Sequence, residues 1–423
     1  FGVLPALRVC RGGDARALRE GGRSGVGGRR ERLRSALVTG EIAASMVLLV
    51  AAGLLLRALW RVQSVDPGFR TENVLTLRTA LPMPKYDKTV RRNAFYTRVL
   101  EAARQIPGAT GAAYISFLPM AFPGGVWPVA IDGQAQDESE LRRASLRFVT
   151  PGFFATLGVP VLLGRDVGEQ DTRTALFAAV VSESFVRRYF PHENPLGHRF
   201  QFGFADREIV GVAGNIRVRG LEGDSEPQVY LPYKQVADGA LEWYAPKDLV
   251  VKSITDPVSL LPTLRRAIQT ADAEQPVADV RMLADIVDEQ TAPRQTQLRL
   301  LSAFAAIAFL LAGIGIHGLL SFAVASRTQE IGVRIALGAR SGDILLMVLR
   351  EGSALAATGV VLGALLAYAA GRTIEALLAG VRPGDIAVFA ASAGLSLLMT
   401  LAGSLLPALR AVHVDPTTAI RAE

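Results

Sequence analysis

Residues 300–325 read LLSAFAAIAFLLAGIGIHGLLSFAVA, without a single Asp, Glu, Lys or Arg. A bilayer core of about 30 Å is crossed by about 20 helical residues, so this stretch is long and apolar enough to be a membrane helix. Working outward, residues 35–59, 352–370 and 386–409 have the same character. Between the first two spans lie about 240 residues of ordinary globular composition. The layout is one membrane helix, a large water-soluble insert, then three membrane helices. The whole chain, 423 residues with 50% hydrophobic and 20% charged side chains, averages these two kinds of sequence and excludes a disordered, collagenous or disulfide-scaffold protein.

The arginines orient the layout. Residues 1–35 carry Arg8, Arg11, Arg16, Arg19, Arg23, Arg29, Arg30, Arg32 and Arg34 against Asp14, Glu20 and Glu31, and the connection 326–351 carries Arg327, Arg334, Arg340 and Arg350. In the connection 372–385, Arg372 and Arg382 are balanced by Glu375 and Asp385, and residues 61–299 hold 28 bases and 28 acids. Positive loops stay in the cytoplasm, so both termini and 326–351 are expected inside and the insert outside. The net charge of +7 is therefore a topology signal rather than the mark of a nucleic-acid partner. The first span runs straight into Arg57 and Trp60 with no small-residue cleavage pattern, which makes it an anchor rather than a signal peptide. The lone Cys10 leaves the insert to be held by its core alone.

The insert reads as mixed α and β. Strand-like patterns at 73–80 and 112–118 bracket helical spacing at 90–106, where Phe95, Val99, Ala102, Ala103 and Ile106 share a face. The pattern returns as strand 248–254, helix 257–271 and strand 277–283, so two βαβ-like units form an α+β layer from the two ends of the insert. The middle, about 119–235, is expected to be a second subdomain of short strands and loops, with strands at 178–181 and 208–212. Downstream of Pro293, a helix over 294–326 would be about 50 Å long, some 20 Å more than the bilayer core needs, and would form a stiff stalk.

An internal repeat bears on the start of the chain. Leu4-Pro5-Ala6-Leu7-Arg8 recurs as Leu406-Pro407-Ala408-Leu409-Arg410, and at the same offset Ala17-Leu18-Arg19 faces Ala419-Ile420-Arg421. The first twenty or so residues read as the tail of a preceding copy of the same module.

The run Arg327-Thr328-Gln329-Glu330-Ile331-Gly332-Val333-Arg334-Ile335-Ala336-Leu337-Gly338-Ala339 resembles the coupling segment of FtsX-like permeases, the membrane subunits of MacB-type ABC transporters. Further segments resemble the same family: Val149-Thr150-Pro151-Gly152-Phe153-Phe154, Leu157-Gly158-Val159-Pro160 and Gly164-Arg165; Arg188-Tyr189-Phe190-Pro191 with Asn194-Pro195-Leu196-Gly197; and the closing 406–421. With the repeat, the chain is similar to the C-terminal half of a duplicated orphan permease (ADOP-like). The resemblance implies a fold class: an α-helical membrane protein of four transmembrane helices, with a large α+β extracytoplasmic MacB-like core domain inserted between helices 1 and 2. It also implies that ATP is hydrolysed by a separate ABC ATPase subunit docking on a short cytoplasmic helix. Carried onto this chain, the docking residues are Arg327, Glu330, Ile331, Gly332, Arg334, Ala336 and Gly338. Arg and Glu suit charge-assisted contacts at a rim, and Ile331 and Ile335 at i and i+4 give one apolar face.

Other motifs carry less. Gly313-Ile314-Gly315-Ile316-His317-Gly318 fits GxGxxG but lies inside an apolar helix, where small residues serve close packing rather than a dinucleotide. His317 stands where the family more often has an aromatic, and is read as an interfacial side chain rather than a proton relay. Glu41, about a turn and a half from the inner end of its helix, reads as reaching the headgroups. His192, His198 and His413 have no zinc spacing, and no phosphate loop, GxSxG elbow or HExxH helix occurs, so no catalytic residue, cofactor or metal is expected. Phe117, Phe122 and Trp127, in a Gly/Pro-rich stretch, are either an apolar binding surface or core.

The sequence therefore predicts a basic cytoplasmic segment 1–34, helix 1 over 35–59, an extracytoplasmic core domain 60–293 and a permease domain 294–423 with helices at about 300–325, 352–370 and 386–409 and the coupling segment 326–351. The expected setting is the bacterial inner membrane. Expected partners are the separate ATPase, membrane lipid, a second permease half or a homodimer, and an extracytoplasmic adaptor, with no nucleic acid. The expected function is ATP-coupled motion of the outer domain for export or extraction of a substrate, in the manner of a macrolide exporter or lipoprotein-releasing system; the alternative is a regulatory protein that acts on an outer partner without transport.

Overall fold

A computed structural model describes residues 26–79, 81–132, 142–203, 205–239, 244–337, 339–373 and 381–412, with the side chains of 26–31 and 294 left out. The internal repeat falls largely on 1–25 and 413–423, outside the described residues, as do Cys10, His413 and Gly338. The chain divides into two compact units, Phe1–Ala58 with Thr296–Glu423, and Leu59–Gln295.

In chain order the elements begin with α1 (Val26–Gln63), β1 (Val74–Arg78), α2 (Thr89–Arg104) and β2 (Ala109–Ile115). The middle of the insert supplies β3 (Gly125–Pro128), β4 (Ala130–Ile131), β5 (Arg143–Val149), α3 (Phe153–Leu157), β6 (Val161–Gly164), β7 (Ala178–Ser182), α4 (Glu183–Tyr189), β8 (Arg199–Phe202), β9 (Ala205–Ala213) and β10 (Gln228–Pro232). Then follow β11 (Asp248–Ser253), α5 (Leu261–Ala271), β12 (Ala278–Met282), α6 (Leu283–Glu289), α7 (Ala292–Ser326), α8 (Thr328–Ala336), α9 (Ser341–Thr373) and α10 (Ile386–Val412).

In the inserted unit, one sheet runs β12-β1-β11-β2-β5-β10-β7-β9-β8-β4, with β3 beside β5 and β6 beside β9. Its first four strands are antiparallel, with Leu75 opposite Val251 and Val250 opposite Ala113. The unit β1-α2-β2 is split by β11, and β11-α5-β12 is split by β1, so the two expected βαβ-like units interleave in the ferredoxin-like manner. Alternate residues Leu75 and Leu77, Ala112 and Tyr114, Leu249 and Val251 point to one face and pack against Phe95, Tyr96 and Val99 of α2 and Leu264 and Ile268 of α5. Arg92, buried in α2, donates to the carbonyls of Tyr86 (2.9 Å), Val236 (3.0 Å) and Ala237 (2.9 Å), which secures the chain on both sides of that helix.

The stretch 119–235 departs from the expectation. It has its own apolar core around Phe148, Phe185, Phe200, Phe202 and Val229, yet its strands extend the same sheet rather than forming a separate one. The two halves meet where Ile115 opposes Val149. Around this pair the Thr150 N–H donates to the Tyr114 carbonyl (3.0 Å) and the Ser116 N–H to the Phe148 carbonyl (2.9 Å), and side chains take the facing N–H groups: Thr150 Oγ1 accepts from the Tyr114 N–H (2.8 Å) and Ser116 Oγ from the Phe148 N–H (3.0 Å). A buried N–H left without such an acceptor is costly, so this pair of hydroxyls lets one sheet serve two cores.

The Gly/Pro-rich stretch after β2 is held by Arg147, a fully buried cation that donates to the carbonyls of Phe117 (3.3 Å) and Pro123 (3.1 Å) and to Ser145 Oγ (2.5 Å). Burial lowers its pKa from the ordinary arginine value. Phe117 is core, Phe122 stacks on it while staying 42% exposed, and Trp127 packs edge-on to Tyr244. The ammonium of Lys247 lies 5.0 Å and 5.6 Å from the Phe117 and Phe122 ring centroids.

The helical unit is built on close approach. Along α9 the buried positions Ile344, Val348, Gly352, Ala356, Gly359, Gly363, Ala367 and Gly371 form one stripe. A Cβ on Gly359 would lie 2.7 Å from Ile42 Cβ, and one on Gly363 2.7 Å from the Ala43 carbonyl oxygen, so only glycine admits α1 at this distance. On α10 the matching stripe is Ser392, Ser396, Thr400 and Ser404; the hydroxyls of the last three donate back one turn, as Thr400 Oγ1 does to the Ser396 carbonyl (2.9 Å). Arg57 of α1 pairs with Asp385, which also accepts the Val388 N–H (3.2 Å) in the first turn of α10.

Four helices, Arg32–Gln63, Gln295–Ser326, Ser341–Thr373 and Ile386–Val412, are long and apolar enough to cross a membrane. With its 35 residues, α7 is about 52 Å long.

Candidate coupling site

The candidate site begins where α7 stops. Ser326 Oγ donates to the Ala323 carbonyl (3.0 Å), and Thr328 Oγ1 donates to the carbonyls of Val324 (3.1 Å) and Ala325 (2.9 Å). These hydroxyls satisfy carbonyls that the end of a helix leaves without a partner. Arg327 is the single residue between α7 and α8, with φ −112° and ψ 16°, and its carbonyl accepts the Ile331 N–H (2.9 Å). The chain therefore turns from one helix into the next within one residue. The 326–351 segment is helical through α8 and again from Ser341, since α9 starts well before residue 352.

The two faces of α8 differ. Ile331, 1% exposed, and Gly332 point inward; Ile331 joins a core with Ile316, Leu320, Ile344 and Ala408, against which Ile335 is half-buried. The expected apolar face of Ile331 and Ile335 is thus turned to the protein's own helices. The outward face carries Glu330, Val333, Arg334, Ala336 and Leu337, all exposed, with Leu337 at 83%. Val333 and Leu337 were not among the residues the sequence pointed to, although their i, i+4 spacing is the same signal one face round. Arg334 pairs with Glu330 across one turn at 2.6 Å, acid first, which is the favourable order along a helix, and also reaches Met347 Sδ (3.0 Å). Arg327 reaches Glu351 at 3.4 Å.

A single exposed surface therefore presents a mutually neutralised Glu330–Arg334 pair beside two uncovered aliphatic side chains, mounted on a short helix anchored by Ile331. Such a surface fits a groove that covers Leu337 and receives the ion pair at its rim.

Two family models cover most of the chain. The MacB-like periplasmic core domain matches residues 41–275 and the FtsX-like permease C-terminal model matches 302–416. The chain belongs to the FtsX-like, MacB-type permease family. This MacB-type permease is 28% identical over 269 residues to the macrolide export ATP-binding/permease protein MacB of Marinobacter nauticus, covering 62% of this chain and 41% of that protein. It is 27% identical over 346 residues to the pyoverdine export ATP-binding/permease protein PvdT of Pseudomonas entomophila, covering 78% of this chain and 51% of the relative. The chain thus spans about half the length of the curated relatives it matches. The periplasmic region of MacB from Actinobacillus actinomycetemcomitans aligns with a TM-score of 0.36 at 14% identity, covering 53% of this chain and 94% of that one. The permease is a multi-pass membrane protein of the MacB-like ABC transporter family, with four apolar helices flanking one α/β insert.

Proposed function

We propose that this chain is the permease subunit of an ABC transporter that couples ATP hydrolysis by a separate ATPase to motion of its inserted domain, for export or extraction of a substrate. The observation that carries the reading is the hand-over at Arg327: an uninterrupted helix of about 52 Å ends one residue before a short helix whose outward face is amphipathic and charged. Closure of an ATPase on α8 would displace the end of α7, and a helix of this length passes displacement along its axis. The positive connections support a topology with α8 and both termini in the cytoplasm and the insert outside, in the inner membrane of a bacterium. A second copy or a second permease half would complete the transporter. With four helices in this chain and only Glu41 and His317 ionising near neutrality within their apolar stretches, mechanical work on molecules outside the bilayer suits the chain better than passage through it.

The test is co-purification of the ATPase encoded alongside this permease. The double swap Glu330→Arg with Arg334→Glu preserves the internal ion pair while reversing the charges offered outward, and Leu337→Asp removes the uncovered aliphatic contact. Both variants should assemble in the membrane and lose at least tenfold in ATPase recovery. Undiminished recovery from both removes the coupling assignment.

A second reading, control of an outer partner protein without transport, is favoured by β6. This edge strand pairs only with β9 among the described residues and leaves Val161, Leu162 and Leu163 all exposed, where edges are ordinarily blunted by charge or cover. Substrate movement into or out of vesicles containing only this permease and its ATPase separates the two readings.

A further inference from the structure

Within the four apolar helices, the stretches between Arg34 and Arg57, Arg299 and Arg327, Glu351 and Arg372, and Asp385 and Arg410 contain only two side chains that ionise near neutrality, Glu41 and His317. Glu41 is half-buried and turns one carboxyl oxygen inward. Its Oε2 atom is buried without a hydrogen-bond partner, and a Cβ on Gly315 of α7 would lie 2.5 Å from it. The carboxyl oxygen therefore rests on α7 at a position where any larger residue would displace it. One turn further along α1, Ser45 is fully buried and its hydroxyl oxygen is likewise without a partner. No ion pair to Glu41 exists among the described residues. His317, half-buried, lies two residues beyond Gly315 and so about 200° round α7 from it. The nearest arginine along α1, Arg34, is about 10 Å away by helical rise and sits over the Phe322 ring. The neighbouring α9, which approaches α1 at Ile42 through Gly359, has no ionisable group near neutrality between Glu351 and Arg372.

Oε2 in such surroundings is out of reach of solvent and, among the described residues, of any cation or donor, and the cost of the carboxylate's charge falls if it takes up a proton. We propose that Glu41 is a proton-binding site within the membrane, a carboxylic acid while α1 and α7 are packed at Gly315 and a carboxylate only when they part. Proton occupancy at Glu41 is thereby linked to the packing of α1 on α7. This rests on the membrane placement of α1 and is independent of ATPase coupling.

The test uses the full chain in phospholipid vesicles at neutral pH, treated in parallel with hydrophobic dicyclohexylcarbodiimide and with a water-soluble carbodiimide plus glycine ethyl ester. With the hydrophobic reagent the acid O–H adds across one C=N bond, oxygen to carbon and proton to nitrogen. The acyl group then migrates from oxygen to nitrogen, leaving a stable acylurea with no leaving group and no change of oxidation state. Mass spectrometry should find the acylurea on Glu41 and no glycine ethyl ester amide there. The amide on Glu41, or no adduct from either reagent, overturns the proposal. Glu41→Gln, a neutral near-isostere, should keep the melting temperature and remove one protonated-carboxyl stretching band from the infrared spectrum; a band that survives the substitution also overturns it.

Discussion

The two units reach stability by opposite means. The insert buries large rings: Phe185 packs on Tyr189 and Phe200 at centroid distances of 4.8 and 5.4 Å, and Phe154 on Tyr230 at 4.9 Å. Among its described residues the helical unit buries aliphatic side chains such as Ile42, Met46 and Leu54 but no ring, approaches closely through Gly359, Gly363 and Ala367 on α9 against α1 and through hydroxyl side chains along α10, and leaves Leu300, Phe304, Ile307 and Leu311 outward. In water, each ring removed from solvent is favourable in itself. In lipid, the outside is as apolar as the inside, so helices gain by backbone approach and internal hydrogen bonds instead. Side-chain size thus reports the solvent of each unit.

That contrast can be broken at named positions. The largest expected effect is Phe185→Ala, which removes a fully buried ring at the centre of three others and should cost the insert about 3–5 kcal/mol, read as early unfolding of the insert in denaturant while the helical unit persists. Next comes the inverse operation in the helical unit. Gly363→Leu forces a side chain into the Ala43 carbonyl and Met46 and should destabilise by about 1–3 kcal/mol, whereas Gly318→Leu, with nothing within 4 Å of the new Cβ, should leave thermostability in detergent unchanged. Equal effects from the two leucines would mean that close approach is not what holds α1 on α9.

The smallest effect is one of pH and belongs to the insert alone. The Asp272 carboxylate is held below its ordinary range, first by Lys85 (2.8 Å) and then by the Tyr86 hydroxyl (2.6 Å). A depressed folded pKa contributes stability above the unfolded value of about 3.9, and that stability is lost as pH falls through the folded value. The melting temperature of the insert should therefore drop on acidification below about pH 4, and Asp272→Asn should show a shallower drop from a lower starting point. Asp248 runs the other way, since burial raises its pKa against the pull of Arg78 at 2.7 Å, so it adds nothing to the acid-induced loss.

Much of this architecture is legible in the residues because its causes are local. The four spans follow from uninterrupted apolar length, although α9 starts eleven residues before the expected 352, while β1, α2, β11 and α5 follow from periods of 2 and 3.6 and lie within a few positions of where they were expected. The family also shows locally, in the run from Arg327 to Ala339 and in the motifs of the insert. The coupling segment was legible as a charged, amphipathic run, but the face it offers was not: Ile331 and Val333 are equally aliphatic, and what hides the one and leaves the other out is the position of α7, α9 and α10 around α8.

What only the tertiary structure decided are the relations between distant residues. That 119–235 extends the sheet of its neighbours depends on Ile115 meeting Val149 and on two hydroxyls capping the join, and no period along the chain records a partner thirty-odd residues away. That Oε2 of Glu41 lies against Gly315 depends on how α1 and α7 are turned about their axes. The sequence by itself determined which segments are helices and strands and which solvent each unit requires, because hydrophobic length and period are properties of neighbours along the chain. Register, rotation and the choice of outward face were left to packing, because they are set by groups that become neighbours only on folding.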